Sequence, residues 1–278
     1  MASAAASFRA LHARRELFLM PNPWDVGTAR LLADLGFKAL ATSSAALAWS
    51  LGRPDATGAV TRADAIAHAG EIVRATPLPV NGDLESGFGD SPSEVAETIR
   101  QAIDIGLAGC SVEDMDQASG ELYPLAEALR RFAAAREAVA KSGSDFVLTG
   151  RCEVFFTRNA DPLGEAVRRL KAFEAAGADV LYAPGLTTER EVAEILAAVS
   201  APVNVLGGVG GVSNDVAALE RLGVTRISIG SGLAKVALGA FLDAAGALAH
   251  RRFAFDGAAT SSTLNGAFAA PPRDDDED

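Results

Sequence analysis

The chain has little of the residue chemistry that marks several common protein classes. Its 278 residues include two cysteines and three histidines, and acidic residues outnumber basic ones by 36 to 25. The two cysteines lack the spacing of metal ligands, and we expect both to be small buried side chains in a reduced cytoplasm. The net charge of −11 offers no basic face of the kind that nucleic-acid binding requires. A Gly-x-Gly-x-x-Gly motif is absent after the first predicted strand, which disfavours dinucleotide binding.

Long uninterrupted apolar segments are also missing. No run of about 18 apolar residues is free of charges and glycines, so the sequence predicts no membrane-spanning segment. Residues 1–15 contain no acidic residue, which is a feature of transit peptides. We prefer to interpret them as a short first helix that covers one end of the fold, because the register of Phe8 and Leu11 leads directly into a strand. The predicted location is therefore cytoplasmic.

The sequence does contain a repeated alternation of short apolar runs and segments rich in Ala, Leu, Glu and Arg. The apolar runs predict strands at 16–20, 39–42, 79–83, 109–113, 146–151, 180–183, 203–206 and 226–229. The other segments predict helices at 25–35, 62–75, 91–105, 122–141, 162–176, 188–198, 214–222 and 232–250. Eight alternations imply parallel strands with right-handed connections, and the number eight favours a closed (β/α)8 TIM barrel over an open sheet.

Helix signals and composition support these boundaries. Ser91 before Pro92 is a typical helix start. Glycines follow several helical segments, where a left-handed residue ends a helix. These glycines are Gly36, Gly106, Gly177 and Gly223. We assign residues 1–250 to one catalytic barrel domain, residues 251–270 to an irregular C-terminal arm and residues 271–278 to a disordered acidic tail.

Acidic side chains follow two neighbouring predicted strands at the points where the strands end. Asp83 ends the strand at 79–83, with Glu85 two residues on, and Glu113 ends the strand at 109–113. Converging carboxylates repel one another unless a cation lies between them, and oxygen ligands suit a hard divalent cation. The sequence therefore predicts a metal site made by Asp83, Glu85 and Glu113, with Mg²⁺, or Mn²⁺ in its place, as the cation.

Other polar residues lie at the same end of the predicted strands, where the active sites of such barrels are found. Arg151 ends the strand at 146–151, and its two-pronged guanidinium suits a substrate carboxylate; the alternative is a core arginine that only pairs with an acid. Ser43 and Ser44 follow the second strand and Asp55 lies in the next loop, so all three are candidate site residues by position. A plain strand-end serine and a helix cap are the alternatives for Ser43 and Asp55.

Three further features have two interpretations each. Tyr123, in the loop after the fourth strand, is a candidate catalytic phenol or an aromatic residue that packs on the rim. Asn204 is a candidate substrate-binding residue or a buried amide satisfied inside the barrel. The glycine-rich loop at 207–211 suits phosphate binding or is a flexible loop without a ligand.

Six stretches together resemble the isocitrate lyase/phosphoenolpyruvate mutase superfamily. They are FLMPNPWD at 18–25, GFKALATSS at 36–44, SLGRPD at 50–55, DLESGFG at 83–89, VED at 112–114 and GRCE at 150–153. They occur in the order of the family, and the likeness covers roughly residues 8–250. The resemblance implies a barrel enzyme that needs Mg²⁺ and acts on a small 2-oxo or 2-hydroxy (di)carboxylic acid through an enolate.

The resemblance also implies a role for each matching residue. Asp83 matches the acid that binds Mg²⁺ directly, and Glu113 matches the third acid of the metal shell. Glu85 stands where the family usually has aspartate, which lengthens this side chain by one methylene. Asp55 matches an acid near the metal. Ser43, with the adjacent Ser44, matches the serine that holds the 2-oxo acid. Arg151 matches the arginine that binds the substrate carboxylate.

Departures from the family pattern bear on the reaction. Residues 115–124 contain no Cys, Lys or His, so this loop lacks the catalytic thiol of the lyases and the Lys-Thr-Asn motif of the mutases. Tyr182 stands where a mutase has histidine. Our first hypothesis is a carbon–carbon lyase or decarboxylase of an outlying subgroup. The alternatives are a phosphonopyruvate-type mutase or hydrolase that acts on a P–C bond, and a metabolite-binding barrel that has lost catalysis.

The last predicted helix, at 232–250, is apolar around its whole circumference. It carries only Lys235 and Asp243 before His250, whereas the surface helix of a lone barrel should have a polar face. The family that the chain resembles exchanges its final helix between paired subunits and forms a dimer of dimers. We therefore expect a homotetramer with an exchanged C-terminal helix; the alternative is a helix covered by the chain's own arm at 251–268. The expected partners are a small-molecule carboxylate and copies of the chain, with no nucleic acid and no membrane.

Overall fold

The computed structural model describes residues 2–269, and its centre is a ring of parallel strands. The strands are β1 (Phe18–Met20), β2 (Leu40–Ala41), β3 (Val80–Asp83), β4 (Gly109–Glu113), β5 (Met115–Asp116), β6 (Glu121–Leu122), β7 (Val147–Arg151), β8 (Val180–Tyr182), β9 (Val203–Leu206) and β10 (Arg226–Ser228). Eight of them pair in parallel in the order β1-β10-β9-β8-β7-β4-β3-β2, and β5 pairs with β6 in a separate antiparallel hairpin. The backbone N–H of Ala41 donates to the carbonyl of Pro21 at 3.0 Å and joins the two ends of the ring. The predicted (β/α)8 barrel is confirmed.

Helices surround the ring and connect its strands. They are α1 (Ala4–Ala13), α2 (Val26–Asp34), α3 (Ser44–Ser50), α4 (Arg62–Ala75), α5 (Pro92–Asp104), α6 (Leu125–Ser142), α7 (Pro162–Ala175), α8 (Glu189–Ala198), α9 (Val216–Leu222), α10 (Gly232–Ala249) and α11 (Ser261–Ala269). The start of α5 follows its sequence signal, since Ser91 and Glu94 cap each other reciprocally and Pro92 occupies the first turn. The sequence pattern does not predict α3 or the β5–β6 hairpin.

The C-terminal arm differs from its prediction. The sequence predicts an irregular segment at 251–270, but α11 forms within it. At its start, Thr260 Oγ1 accepts a hydrogen bond from the N–H of Thr263 at 3.1 Å, as a helix cap does. Phe268 then packs on α2, where the guanidinium of Arg30 lies 5.7 Å from its ring centroid. This tertiary contact stabilises α11, although its sequence contains few strong helix formers. The acidic tail predicted at 271–278 lies outside the described residues.

The helix α1 closes the end of the barrel where the strands begin. Phe8 and His12 are buried there, and their rings lie edge to face with Phe18 of β1. Arg9 fastens the helix by donating to the backbone carbonyl of Phe146 at 3.0 Å and to Asp179 at 2.8 Å. The interpretation of residues 1–15 as a first helix is therefore confirmed.

The helix α10 remains largely uncovered in the single chain. Val236, Phe241 and Leu242 are 70%, 66% and 67% exposed. By length and composition alone α10 could cross a membrane, and 6% of it is buried. The chain's own arm does not cover it, because α11 packs against α2 and the side chain of Phe253 is itself exposed. The alternative that the arm buries this helix is therefore wrong.

Candidate active site

A cavity of about 770 Å³ opens where the barrel strands end. Each of the eight strands, or the residue directly after it, contributes at least one lining side chain. Examples in chain order are Met20, Thr42, Asp83, Glu113, Arg151, Tyr182, Leu206 and Ser228. Barrel enzymes carry their active sites at this end. The cavity is therefore the candidate active site.

Strand register connects most of the polar cavity residues. Five of these residues lie opposite one another on successive neighbouring strands, so that each is in register with the next. In order they are Glu113, Arg151, Tyr182, Asn204 and Arg226. Barrel strands tilt against the barrel axis, so a line of paired residues changes depth as it crosses the sheet. This line begins among the acids at the open end and finishes at Arg226, which contacts His12 of the bottom helix. The cavity wall thus has an acidic upper part and a basic floor.

Arg151 is the centre of the acidic part. Its Nη1 donates to Asp83 Oδ1 at 3.0 Å, its Nη2 lies 3.3 Å from Glu113 Oε2, and its Nε donates to Glu153 Oε1. The ring of Tyr182 lies 5.3 Å from the guanidinium carbon. Arg151 therefore pairs with acids, as a core arginine would. It also lines the cavity, as a substrate-binding arginine would.

Asp83 is held by the chain that follows β2. The backbone N–H and the hydroxyl of Ser44 both donate to Asp83 Oδ2 at 3.0 Å, and the hydroxyl of Thr42 accepts from the N–H of Asp83 at 2.8 Å. Ser43 lines the cavity and caps α3, since its Oγ accepts from the N–H of Ala46 at 3.4 Å. The structure therefore brings the two predicted serines and the predicted metal ligand together.

Burial and mutual repulsion perturb the acids of this cluster. Burial, with the charges of Asp83 and Asp55 added, raises the pKa of Glu85 to about 7. Burial also raises the pKa of Glu113 and of Glu153, although Arg151 acts in the opposite direction on both. Partial burial raises the pKa of Asp55, which lies at the rim of the cavity. These carboxyl groups are thus short of nearby positive charge.

The donor chemistry suits a divalent cation, whereas the present spacing does not form a metal site. Across residues 2–269, no group of three or more His, Cys, Asp and Glu side chains has the arrangement of a metal centre. The oxygens of Asp83 and Glu113 are paired instead with Ser44, Arg151 and Gln117. The donors are nevertheless all carboxylates, which hard cations prefer, and a cation would supply the positive charge that this cluster lacks.

Tyr123 does not reach the cavity. Its ring lies 4.5 Å from the guanidinium carbon of Arg131, and its N–H donates to the carbonyl of Asp114 at 2.8 Å. Arg131 in turn donates to the carbonyls of Ser86 and Gly89 and so holds the loop that carries Glu85. Of the two interpretations of Tyr123, packing on the rim is the one that the structure shows.

The phenol in the cavity belongs to Tyr182. It lines the cavity beside Arg151, and burial raises its pKa to about 12. Ser228 acts in the opposite direction and lowers this pKa. Tyr182 is the last residue of β8, as Arg151 is of β7, and the strand predicted at 180–183 extends one residue beyond it. Loop position favours Tyr123 in the sequence, whereas the phenol that lines the cavity is Tyr182.

Three other polar residues belong to the site. The sequence leaves two interpretations of the first and does not predict the other two. Asn204 lines the cavity and is also satisfied inside the barrel, since Nδ2 donates to Ser228 Oγ and Oδ1 accepts from Arg226 Nε, both at 2.9 Å. Gln117, in the β5–β6 hairpin, donates to Glu113 Oε1. Lys235, near the start of α10, lines the cavity with its ammonium 5.7 Å from the ring centroid of Trp49. Sequence reasoning misses Gln117 and Lys235 because neither lies at a strand end.

The glycine-rich loop at 207–211 uses its own amides. The N–H of Gly208 donates to the carbonyl of Ser213, the N–H of Val209 to the hydroxyl of Ser213, and the N–H of Gly210 to the side chain of Asn214. Donors that are already paired are not free to bind phosphate. Of the two interpretations of this loop, a turn without a ligand fits these contacts better.

Both cysteines are free and buried, as predicted. Burial raises the pKa of both thiols, which keeps them protonated and poorly nucleophilic.

Comparison with known proteins assigns the family. The family model of phosphoenolpyruvate phosphomutase matches residues 8–249. The chain belongs to this family. The match confirms the resemblance to the isocitrate lyase/phosphoenolpyruvate mutase superfamily, and with it an enzyme of that type.

Relatives of the chain include lyases and a decarboxylase. The crystal structure of a candidate lyase/mutase from Burkholderia cenocepacia J2315 superposes with a TM-score of 0.91 at 46% identity, over 96% of this chain and 97% of that one. The oxaloacetate decarboxylase of Rhodopseudomonas palustris (strain BisA53) is 33% identical over 193 residues, which are 66% of this chain and 64% of that protein. The 2,3-dimethylmalate lyase of Eubacterium barkeri is 30% identical over 199 residues, which are 69% of this chain and 66% of that protein.

Proposed function

We propose that this chain is a cytoplasmic, Mg²⁺-dependent carbon–carbon lyase or decarboxylase that acts on a small 2-oxo or 2-hydroxy (di)carboxylic acid through an enolate. The observation that carries the proposal is Arg151 among Asp83, Glu113 and Glu153 at the open end of the barrel. A lyase and a decarboxylase of small carboxylic acids among the relatives support the same reaction class.

The substrate carboxylate binds at Arg151 in this proposal. The guanidinium forms a fixed fork that matches a carboxylate, and its burial beside the cavity strengthens such a contact. Ser44 donates to Asp83 Oδ2, whereas Arg151 donates to Oδ1, and Ser43 and Asn204 line the same cavity. We assign these two serines and Asn204 to polar contacts with the substrate.

Asp83, Glu85 and Glu113 are the residues that we assign to the cation, with Mg²⁺ as the first choice and Mn²⁺ as the alternative. When bound, such a cation polarises a carbonyl and stabilises the negative charge of an enolate. The support is the all-carboxylate donor set and its shortage of positive charge. Glu153 is not one of the assigned ligands and would keep its ion pair with Arg151.

Proton transfer is assigned to two residues of the cavity. Tyr182 carries its proton at neutral pH, as an ordinary phenol does, and burial raises its pKa to about 12. We assign its hydroxyl as the donor toward the carbon of an enolate. Asp55 lies at the rim, where partial burial raises its pKa and favours proton exchange with solvent. Tyr182 takes the catalytic role that the sequence suggests for Tyr123.

A P–C mutase or hydrolase is the second candidate, favoured by the description of the matching family. Tyr182, where a mutase has histidine, and the loop at 115–124 without Lys or Asn speak against it. The third candidate is a barrel that binds a metabolite without turnover.

Turnover of oxaloacetate in the presence of Mg²⁺ tests the proposal. We expect wild-type activity that EDTA removes, and we expect Asp83→Ala to lose both turnover and Mg²⁺ binding by calorimetry. Asp90→Ala, at an exposed position on the same loop, is the matched control and should keep both. Turnover of phosphonopyruvate alone would instead support the second candidate. Binding of both compounds without turnover of either would support the third.

We further propose that the chain forms a homotetramer in which α10 is exchanged or packed between subunits. The exposed apolar surface of α10 supports this assembly. The alternative of a membrane span is disfavoured, because Lys235 and Asp243 interrupt the helix and its first turn lines the cavity.

A further inference from the structure

Arg226 is a buried cation at the floor of the barrel. The residue is 1% exposed. Its Nε donates to Asn204 Oδ1 at 2.9 Å, its Nη2 donates to Thr149 Oγ1 at 3.1 Å, and its Nη1 lies 3.2 Å from His12 Nε2. All three partners are neutral, because burial and Arg226 itself lower the pKa of His12 to about 3.

No carboxylate in the described part of the chain compensates this charge. Within residues 2–269, the ion pairs of Arg151 and Arg169 use the buried acids nearby, and none includes Arg226. Burial lowers the pKa of Arg226 to about 9, which reflects a charge removed from water without a counter-charge. An uncompensated buried charge is costly, and proteins rarely keep one without a use.

The guanidinium has hydrogen-bonding capacity left. Arginine carries five N–H groups, and the described structure pairs three of those of Arg226. The unpaired N–H groups belong to the two terminal nitrogens, which are the ones that bind a carboxylate side by side.

The cavity reaches this residue. Arg226 is one of its lining residues, together with Asn81, Ser111 and Ser228. Asn81 is 4% exposed, and its Oδ1 has no hydrogen-bond partner in the described structure. Two polar groups of the same cavity lining, a charge and an acceptor, are thus incompletely paired in the described structure.

We propose that Arg226 forms a second anion subsite at the floor of the cavity, which binds the distal carboxylate of a dicarboxylic acid whose first carboxylate is bound at Arg151. Asn81 Oδ1 accepts a hydrogen bond from a hydroxyl group of the same ligand or from a water beside it. The inference rests on the proposed function, because it takes Arg151 as the site of the first carboxylate. It assigns to Arg226 the discrimination between dicarboxylic and monocarboxylic acids.

Malate and lactate are a matched pair of probes in the wild-type protein. Both are 2-hydroxy acids, and they differ by the distal carboxylate. We expect malate, in one of its enantiomers, to bind at least tenfold more tightly than lactate by calorimetry in the presence of Mg²⁺. Equal affinities, or no malate binding, would overturn the subsite.

The Arg226→Gln variant removes the charge and keeps an amide that can still bond to neighbouring side chains. We expect its preference for malate over lactate to fall to within about twofold, with lactate affinity unchanged. A merely structural role for Arg226 predicts another result, in which stability falls and both ligands weaken equally or not at all. That result would refute the proposal.

Arg136→Gln is the control, because Arg136 of α6 pairs with Asp179 and does not line the cavity. It should keep the preference for malate. If Arg226→Gln does not fold, Arg226→Lys serves in its place, since it keeps the charge and should keep a preference that is smaller than that of the wild type. A wild-type preference that Arg226→Lys leaves at its full size would contradict the role of the guanidinium fork.

These measurements also separate the subsite from the proposed function. Binding is measured without turnover, so an Arg226-dependent preference for malate in a protein that converts no 2-oxo or 2-hydroxy acid would leave the subsite standing and reject the enzyme activity. Turnover without any preference for a dicarboxylic acid would reject the subsite and leave the enzyme activity standing.

Discussion

His12 couples the stability of the barrel to pH. Its Nδ1 lies 2.8 Å from the carbonyl of Phe8, which only accepts, so Nδ1 carries the proton. Its Nε2 then accepts from Arg226 Nη1 at 3.2 Å. A second proton on the ring would place two donors against each other inside the barrel. Burial first and the charge of Arg226 second lower the pKa of His12 from 6.5 to about 3.

The sign of the effect follows from this lowered pKa. Below pH 6.5 the unfolded chain takes up a proton at His12, whereas the folded chain stays neutral there down to about pH 3. Stability is therefore complete above pH 6.5 and is lost as the pH falls through the window from 6.5 to 3. At pH 5 the loss from this one group is about 2 kcal/mol relative to pH 8.

Urea denaturation at several pH values measures this loss. Other acids also titrate on unfolding, so the informative quantity is the difference between the wild type and His12→Gln, which carries no ionisable group at this position. We expect that difference to change by about 2 kcal/mol between pH 8 and pH 5. A constant difference between the wild type and His12→Gln across this range would refute the reasoning.

Three further predictions concern the site and the assembly. Arg151→Lys should weaken oxalate binding by about 1.5–3 kcal/mol in calorimetry, because lysine keeps the charge and loses the fork; equal affinities would contradict the assignment. Tyr182→Phe should lower kcat by about 10²-fold or more while Tyr123→Phe leaves it within a few-fold, and the reverse order would reject Tyr182 as the proton donor. Light scattering at micromolar concentration should show a tetramer, and a monomer of 28.6 kDa would exclude the proposed assembly.

The barrel and the acidic part of the site follow from short-range patterns. Eight apolar runs separated by helical segments determine the topology, and residues at the ends of parallel strands must converge. That rule locates Asp83, Glu113 and Arg151 from the sequence alone.

The basic floor cannot be inferred in the same way. Arg226 lies at the start of its strand, and its depth depends on the tilt of the barrel and on α1 beneath it. Arg131 lies in the middle of a helix, where its contacts with the loop at 84–89 depend on how α6 packs. Lys235 reaches the cavity only because α10 begins directly above β10. Such placements are tertiary, and no local signal encodes them.

The helix α10 connects the assembly to the active site. Leu233, Lys235 and Val236 of its first turns line the cavity, yet Val236 is 70% exposed in the single chain. If a partner subunit covers α10, as proposed, the same contact closes the side of the cavity that now faces water. Removal of water strengthens the electrostatic interactions of Arg151 and of the acids around it, and protects an enolate from premature protonation. Disruption of the assembly should then lower turnover even though each barrel retains its full set of site residues.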